Sequence, residues 1–315
     1  MRVAVLDDYQ AIARRSADWP ALAGAQVDVF HDHLVAEDDL VRRLRDHEVI
    51  VIMRERTPFQ RCLIERLPNL RLLVTTGRRN ASVDLAACAD RGIVVSGTEG
   101  GPAGAAAELA FGLILDVMRR ITLENRALLD GNWQTGVGRS LEGRTLGLLG
   151  LGRLGSRVAR MARAFDMNVI AWSQNLTPER AVEAGALYVD RDELFAQADI
   201  VSLHLILSDR SQGIVGTREL SLMKKDAIII NTSRAQLIQQ DALIEALANG
   251  AIAGAGLDVF EQEPLPLDHP LRTLSNTVLT PHIGYVTQET YRAYFEQAVE
   301  AIAAWRAGTP IRLLS

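Results

Sequence analysis

An α/β fold in two domains, each a parallel sheet covered by helices, follows from three features of the sequence. Its 315 residues are about twice the usual length of one domain. Short apolar runs alternate along the chain with amphipathic stretches, the order expected where strands and helices take turns. The alternation comes in two series, parted once by the glycine-rich stretch GTEGGPAG at 97–104, which neither a strand nor a helix would carry in its interior.

The first series of expected strands is 3–6, 27–30, 49–53, 72–74 and 93–95. Between them, 38–44 and 63–67 repeat apolar residues three or four apart, the period of a helix face. The stretch 97–104 is the expected hinge. Segment 105–118 is apolar on nearly all sides, yet it is interrupted by Glu108 and Asp116 and is shorter than the roughly 20 residues a bilayer requires, so it predicts a buried helix. A second series follows at 145–149, 169–172, 200–203, 227–230, 253–257 and 277–279. The helical segment 287–308 and the tail 309–312 then lead back to the first domain. Two crossings predict domains 1–99 plus 288–315 and 100–287, separated by a hinged cleft.

Composition narrows the function. Lysine and arginine number 34 against 39 acidic residues, a net charge of −5 that disfavours a nucleic-acid partner. The hydrophobic share of 48% and the charged share of 23% suit a globular chain. Cys62 and Cys88 cannot build a disulfide framework, and Asp7 and Asp8 arrive before any signal-peptide core, so the expected compartment is the cytoplasm, with no membrane association.

Gly150, Gly152 and Gly155, with Arg153 and Leu154 between the last two, form a G-x-G-x-x-G loop directly after the strand at 145–149. Such glycines allow a tight turn, close approach of backbone to a pyrophosphate and close helix–strand packing, and the following helix offers its N-terminus to the phosphates. The end of the next strand commonly carries an acidic residue that binds the adenosine ribose. Here Ser173 stands there, without the charge that would repel a 2′-phosphate, so both NAD and NADP remain open as cofactor.

Three further segments, Asn231-Thr232-Ser233-Arg234, Gly256 to Pro264 and Thr280-Pro281-His282-Ile283-Gly284, each follow an expected strand. Side chains beyond the carboxyl ends of parallel strands converge on the ligand crevice, which brings Arg234, Asp258, Glu263 and His282 together. One loop histidine alone is usually structural. An arginine, a glutamate and a histidine placed together after successive strands point instead to catalysis.

At these residues the chain resembles the D-isomer-specific 2-hydroxyacid dehydrogenases, nearly end to end. The likeness covers the GLGRLG loop, the NTSR run, the GLDVFEQEP run, the PHIG run and the Ala106-Ala107-Glu108 helix. It implies a flavodoxin-like substrate domain, a Rossmann dinucleotide-binding domain and a homodimer formed in part through the helix at 105–118. It also implies that Arg234 binds the substrate carboxylate and carbonyl, that His282 is the acid-base and that Glu263 orients it. Arg153 and Leu154 would meet the pyrophosphate and Asp258 the nicotinamide end, with Thr232, Ser233 and Gly284 completing the cofactor site. Ala235, Ile206 and Gln239 depart from the family pattern, where glycine, proline and aspartate are usual. In the first domain Arg54, Gly77, Arg78 and Arg79 occupy loops that line the substrate pocket in the family, and three arginines there suggest a substrate with a second anionic group.

The residue types suit the chemistry. Reduction of a 2-keto acid leaves an oxyanion that must receive a proton, which an imidazole supplies near neutral pH. A guanidinium fork can hold a carboxylate in two places and polarise the carbonyl. A dinucleotide-sensing module of the same fold is the alternative, which an intact Arg234, Glu263 and His282 set disfavours. A metal-dependent hydrolase lacks ligand spacing, since His31 and His33 stand with no matching cluster, and no metal is expected.

Overall fold

The computed structural model describes residues 1–101 and 104–315, so Pro102 and Ala103 of the expected hinge lie outside the described residues. The chain forms two compact units, Met1–Pro102 with Thr287–Ser315, and Ala103–Val286.

In the first unit β1 (Arg2–Val5), β2 (Gln26–Val29), β3 (Val49–Ile52), β4 (Leu72–Thr75) and β5 (Val94–Ser96) form a parallel sheet in the order β2-β1-β3-β4-β5. This is the flavodoxin order, which reverses direction between β1 and β3, the place where ligands gather in such sheets. β3 is the unbroken apolar run Val-Ile-Val-Ile because helices cover both of its faces. The helices α1 (Ala13–Ser16), α2 (Glu37–Leu44), α3 (Arg61–Glu65) and α4 (Leu85–Asp90) return the chain between strands. In α2, Leu40 and Leu44 face the core one turn apart, while Glu37, Asp38 and Asp39 start the helix and Arg42 and Arg43 end it, each charge set favoured by the dipole.

The C-terminal helix Gln288–Arg306 belongs to this unit and buries Tyr291, Tyr294, Phe295, Ala298, Ala301 and Ile302 on one face. Its Phe295 ring lies 6.1 Å from that of Trp19. Beyond it the tail runs antiparallel along β5: the Leu314 amide donates to the Val95 carbonyl at 2.9 Å, and the Gly97 amide donates to the Arg312 carbonyl at 2.8 Å.

The second unit opens with α5 (Ala105–Arg119) and α6 (Ile121–Leu129). It continues through β6 (Thr145–Leu149), α7 (Arg153–Ala164), β7 (Asn168–Trp172), α8 (Pro178–Glu183), β8 (Leu187–Tyr188), α9 (Arg191–Gln197) and β9 (Ile200–Leu203). It ends with α10 (Thr217–Leu222), β10 (Ile228–Asn231), α11 (Gln240–Ala248), β11 (Gly254–Leu257) and β12 (Thr277–Leu279). Its parallel sheet runs β12-β11-β10-β9-β6-β7-β8, the Rossmann order extended by one strand, with the switch point between β6 and β9. α5 is buried inside this unit through Ala107, Ala110, Phe111, Leu113, Ile114 and Met118. It lies so close to β11 that a Cβ on Gly256 would come within 3.0 Å of the Leu113 Cβ.

Candidate active site

The glycine loop divides its labour. Gly150 has φ 107°, and a Cβ there would lie 2.7 Å from the His204 carbonyl oxygen, so only glycine fits. A Cβ on Gly155 would lie 2.2 Å from the Gly150 carbonyl, which is the close contact that seats α7 on β6. Gly152, at the N-cap of α7, has nothing within 4 Å of a Cβ position. Two glycines therefore satisfy packing, while the third leaves open space at the start of a 12-residue helix, the cradle that a pyrophosphate requires. Arg153 is exposed and Leu154 half-buried beside that space, and Ser173 is half-buried just past β7. These residues fit a nicotinamide dinucleotide.

Beneath the loop sits His204, at the end of β9, with Nε2 2.9 Å from the Ser202 hydroxyl. Desolvation lowers its pKa to about 4, which keeps the ring neutral.

The other half of the site is built on the neighbouring strands β10, β11 and β12. Asn231 ends β10 buried, donating from Nδ2 to the Arg234 carbonyl at 2.9 Å and accepting the Ser233 amide at 3.0 Å. The Ser233 hydroxyl donates to the Leu203 carbonyl at 2.7 Å, so this turn is tied to β9 as well. Arg234, half-buried, leaves the turn in extended conformation with Nη1 2.8 Å from the Ser233 carbonyl.

Asp258 follows β11 and is 0% exposed. Its carboxylate accepts the Thr280 hydroxyl at 2.6 Å and the amides of Ile283 and Gly284, each at 2.8 Å. Burial raises its pKa, and these three donors oppose the shift. A Cβ on Gly284 would approach Asp258 Oδ2 to 3.2 Å, so the loop closes tightly on the carboxylate. The residue sits under the segment that carries His282 and braces it.

His282 has φ 53°, an unusual backbone conformation for a side chain other than glycine, and its amide donates to the Thr280 carbonyl. Its Nδ1 donates to Glu263 Oε2 at 2.7 Å, and the other Glu263 oxygen accepts the Phe260 amide at 2.9 Å. The Tyr285 ring meets the imidazole edge-on at 5.6 Å. With Nδ1 occupied, Nε2 is the nitrogen left for proton transfer.

The first-unit residues are distributed unevenly. Arg54 has φ 53° and a side chain 22% exposed, and its guanidinium lies across Gly77, where a Cβ would fall 1.9 Å from Nη1. Arg78 is 69% exposed with Glu99 at 3.9 Å, and Arg79 is exposed. Asn231 and Thr280 stand in the sequence only as members of their runs, and neither they nor His204 carried a role of their own there. Their signal was a polar residue ending an otherwise apolar strand, as in Ile-Ile-Ile-Asn.

Among the described residues no group of three or more His, Cys, Asp or Glu side chains could hold a metal ion, and no helix is long and apolar enough to cross a membrane.

A nucleotide cradle beside a histidine–carboxylate pair defines a class of nicotinamide-linked oxidoreductases. Residues 111–284 match the D-isomer specific 2-hydroxyacid dehydrogenase, NAD binding domain family. The chain is 35% identical to the glyoxylate reductase of Korarchaeum cryptofilum over 85% of its own length and 82% of that protein's. It is 36% identical to the hydroxypyruvate reductase of Thermotoga maritima over 88% and 90%. The crystal structure of a phosphoglycerate oxidoreductase from Vibrio cholerae superposes with a TM-score of 0.93 at 39% identity, covering 98% of this chain and 99% of the other. The chain belongs to the D-isomer specific 2-hydroxyacid dehydrogenases and is an oxidoreductase with a nicotinamide cofactor.

Proposed function

We propose that this enzyme works as a 2-keto acid reductase in which His282 is the acid-base, Glu263 fixes its tautomer and Arg234 holds the substrate carboxylate. The 2.7 Å bond between Glu263 and His282 carries the reading. Because Nδ1 donates to a carboxylate, Nε2 can hold a proton and deliver it to the carbonyl oxygen, and the Glu263 charge offsets the charge of the protonated ring. Arg234 is a rigid planar donor set on a turn braced by Asn231 and Ser233, suited to bidentate grip of the carboxylate and to drawing electron density from the carbonyl. When bound, the nicotinamide cofactor exchanges a hydride with the substrate carbon. Arg153, Leu154, Thr232, Ser233 and Gly284 are proposed to hold it, with Asp258 acting through the segment 280–284 that it braces.

Both NADH and NADPH are proposed as cofactors, because half-buried Ser173 places no negative charge against a 2′-phosphate. On the substrate side we assign Arg54, Gly77, Arg78 and Arg79. Arg54, drawn down over Gly77, gives the reason to expect a substrate with a second carboxylate or a phosphate. A homodimer is proposed as well. α5 is satisfied within its own unit, but the segment after it leaves Ile121, Leu128, Leu129, Trp133 and Val137 exposed, Val137 at 93%. Free Cys62 and Cys88 suit a reducing cytoplasm.

The test is oxidation of NADH and NADPH across a panel of 2-keto acids, with His282→Ala and Arg234→Ala as controls. Turnover lost in both variants supports the roles. Cofactor binding without turnover of any 2-keto acid overturns them in favour of a sensing module.

A further inference from the structure

At the carboxyl edge of the first unit's sheet, the residues that follow β1 and β3 adopt left-handed backbone together: Asp7 has φ 57° and Arg54 has φ 53°, and neither is glycine. Such conformations persist only where the surroundings over-determine them, and they gather at functional sites. Here they stand on the two strands between which the strand order reverses.

What holds Asp7 is visible. Its side chain is about as buried as the sheet core, the whole residue being 1% exposed. One carboxylate oxygen accepts the Thr57 hydroxyl at 2.7 Å and the other accepts His33 Nδ1 at 2.9 Å. The Asp7 carbonyl accepts Arg56 Nη1 at 2.7 Å. Arg56 also donates to the Tyr291 hydroxyl at 3.2 Å, which donates to Gln10 at 2.9 Å. One residue thus ties the loops after β1, β2 and β3, and two of its three partners are consecutive members of the loop that begins with Arg54.

That loop is fixed from its other end too. The Arg54 amide donates to the Thr76 hydroxyl at 2.9 Å, and its carbonyl accepts Asn80 Nδ2. The Gly77 amide donates to Thr98 Oγ1 at 2.8 Å, which holds the glycine under the guanidinium. A long flexible side chain would otherwise sample many rotamers, and here the backbone beneath it is clamped on both sides of the residue. If stability alone were served, apolar residues could fill the place of a buried carboxylate at no loss.

We propose that Asp7, with His33 and Thr57, is a positioning residue for substrate binding: it sets the loop 54–57 so that Arg54 presents its guanidinium beside Gly77 to a second anionic group on the 2-keto acid. This rests on the assignment of Arg54 and Gly77 to the substrate site. Asp7 makes no contact with substrate in this account. It lowers the cost of ordering the group that does, so its loss appears in KM and in discrimination between substrates, and leaves the hydride and proton steps alone.

The experiment compares Arg54→Ala, Asp7→Asn, Thr57→Val and Thr57→Ser in the full chain, with oxaloacetate as the two-carboxylate substrate and glyoxylate as the small one. Arg54→Ala should raise KM for oxaloacetate about 10-fold more than KM for glyoxylate, whereas Asp7→Asn and Thr57→Val should raise KM for oxaloacetate about 5-fold with kcat within about twofold and KM for glyoxylate unchanged. Thr57→Ser, which keeps the hydroxyl, should restore the wild-type value. If Arg54→Ala raises KM while Thr57→Val leaves it unchanged, the Asp7 proposal falls and the substrate loop stands. If Arg54→Ala changes neither substrate, the assignment of the loop falls and the proposal with it. A lower melting temperature in Asp7→Asn and Thr57→Val with unaltered substrate discrimination assigns the cluster to stability alone and overturns the proposal. Should Asp7→Asn fail to fold, the Thr57→Val and Thr57→Ser pair decides.

Discussion

Glu263 divides its two oxygens between the His282 ring at 2.7 Å and the Phe260 amide at 2.9 Å, so the carboxylate is itself held while it orients the imidazole. The amide of Glu263→Gln can still accept from Phe260 only by turning its NH2 toward Nδ1. That makes Nδ1 an acceptor, so the ring cannot carry its second proton, and delivering the Nε2 proton would leave an unstable imidazolate. Glu263→Gln is therefore expected to lower kcat by about 10²-fold or more, and His282→Ala by a similar factor, the usual range for lost acid–base catalysis. Stopped-flow turnover with cofactor affinity measured in parallel checks this, and near-normal kcat in either folded variant refutes the assigned roles.

Arg234→Lys keeps the charge and loses the fork. With the turn still fixed by Asn231 and Ser233, kcat/KM for a 2-keto acid should fall roughly 10²-fold while cofactor affinity holds. Equal kcat/KM in the lysine variant would mean that a point charge suffices.

The glycines of the nucleotide loop should respond differently to the same methyl group. Gly155→Ala meets the Gly150 carbonyl and is expected to lower the melting temperature, by several degrees or more. Gly152→Ala meets nothing in the protein, so the fold should keep its stability while NADH affinity weakens about 10-fold or more. Thermal unfolding and fluorescence titration of both variants separate packing from cofactor approach.

Ser173→Asp places a negative charge where the adenosine ribose is expected. The ratio of kcat/KM for NADPH to that for NADH should fall at least about 10-fold, and a wild-type enzyme that already rejects NADPH would show that serine alone does not open the site.

His204 links stability to acid. Its pKa is about 4 in the fold against 6.5 in an unconstrained chain, so the unfolded state takes up the proton first as pH falls. The contribution is complete above pH 6.5 and disappears between there and pH 4. Half-burial of the residue moderates the size, and wild type should lose roughly 1–2 kcal/mol more than His204→Gln between pH 7 and pH 5. Parallel urea titrations of the two proteins at each pH are the measurement.

The inner strands of both sheets were legible because they are apolar runs buried on two faces, and the proposed catalytic residues were legible because they stand where such runs stop. β8 was not, being two residues with half-exposed Tyr188 and exposed Leu187 at the sheet's edge. Asp258 is bonded to the loop of His282 through partners that lie more than twenty residues along the chain, a bracing contact its own segment does not announce. The clamp at Asp7 depends on His33 and Thr57 arriving from other strand ends, and no local pattern announces that. Arg54, Arg78 and Arg79 look alike in sequence. Only Arg54 is drawn inward, because Gly77 leaves room beneath its guanidinium.

The C-terminal helix and tail complete the first unit only after the whole second unit has been made. A ribosome therefore releases β1 to β5 with the face meant for Tyr291, Tyr294 and Phe295 bare and the β5 edge unpaired. The nucleotide-binding unit, contiguous in sequence, can fold while still tethered. The first unit stays open until residues 287–315 have been made, and over that interval its bare apolar face and unpaired edge are features that favour aggregation.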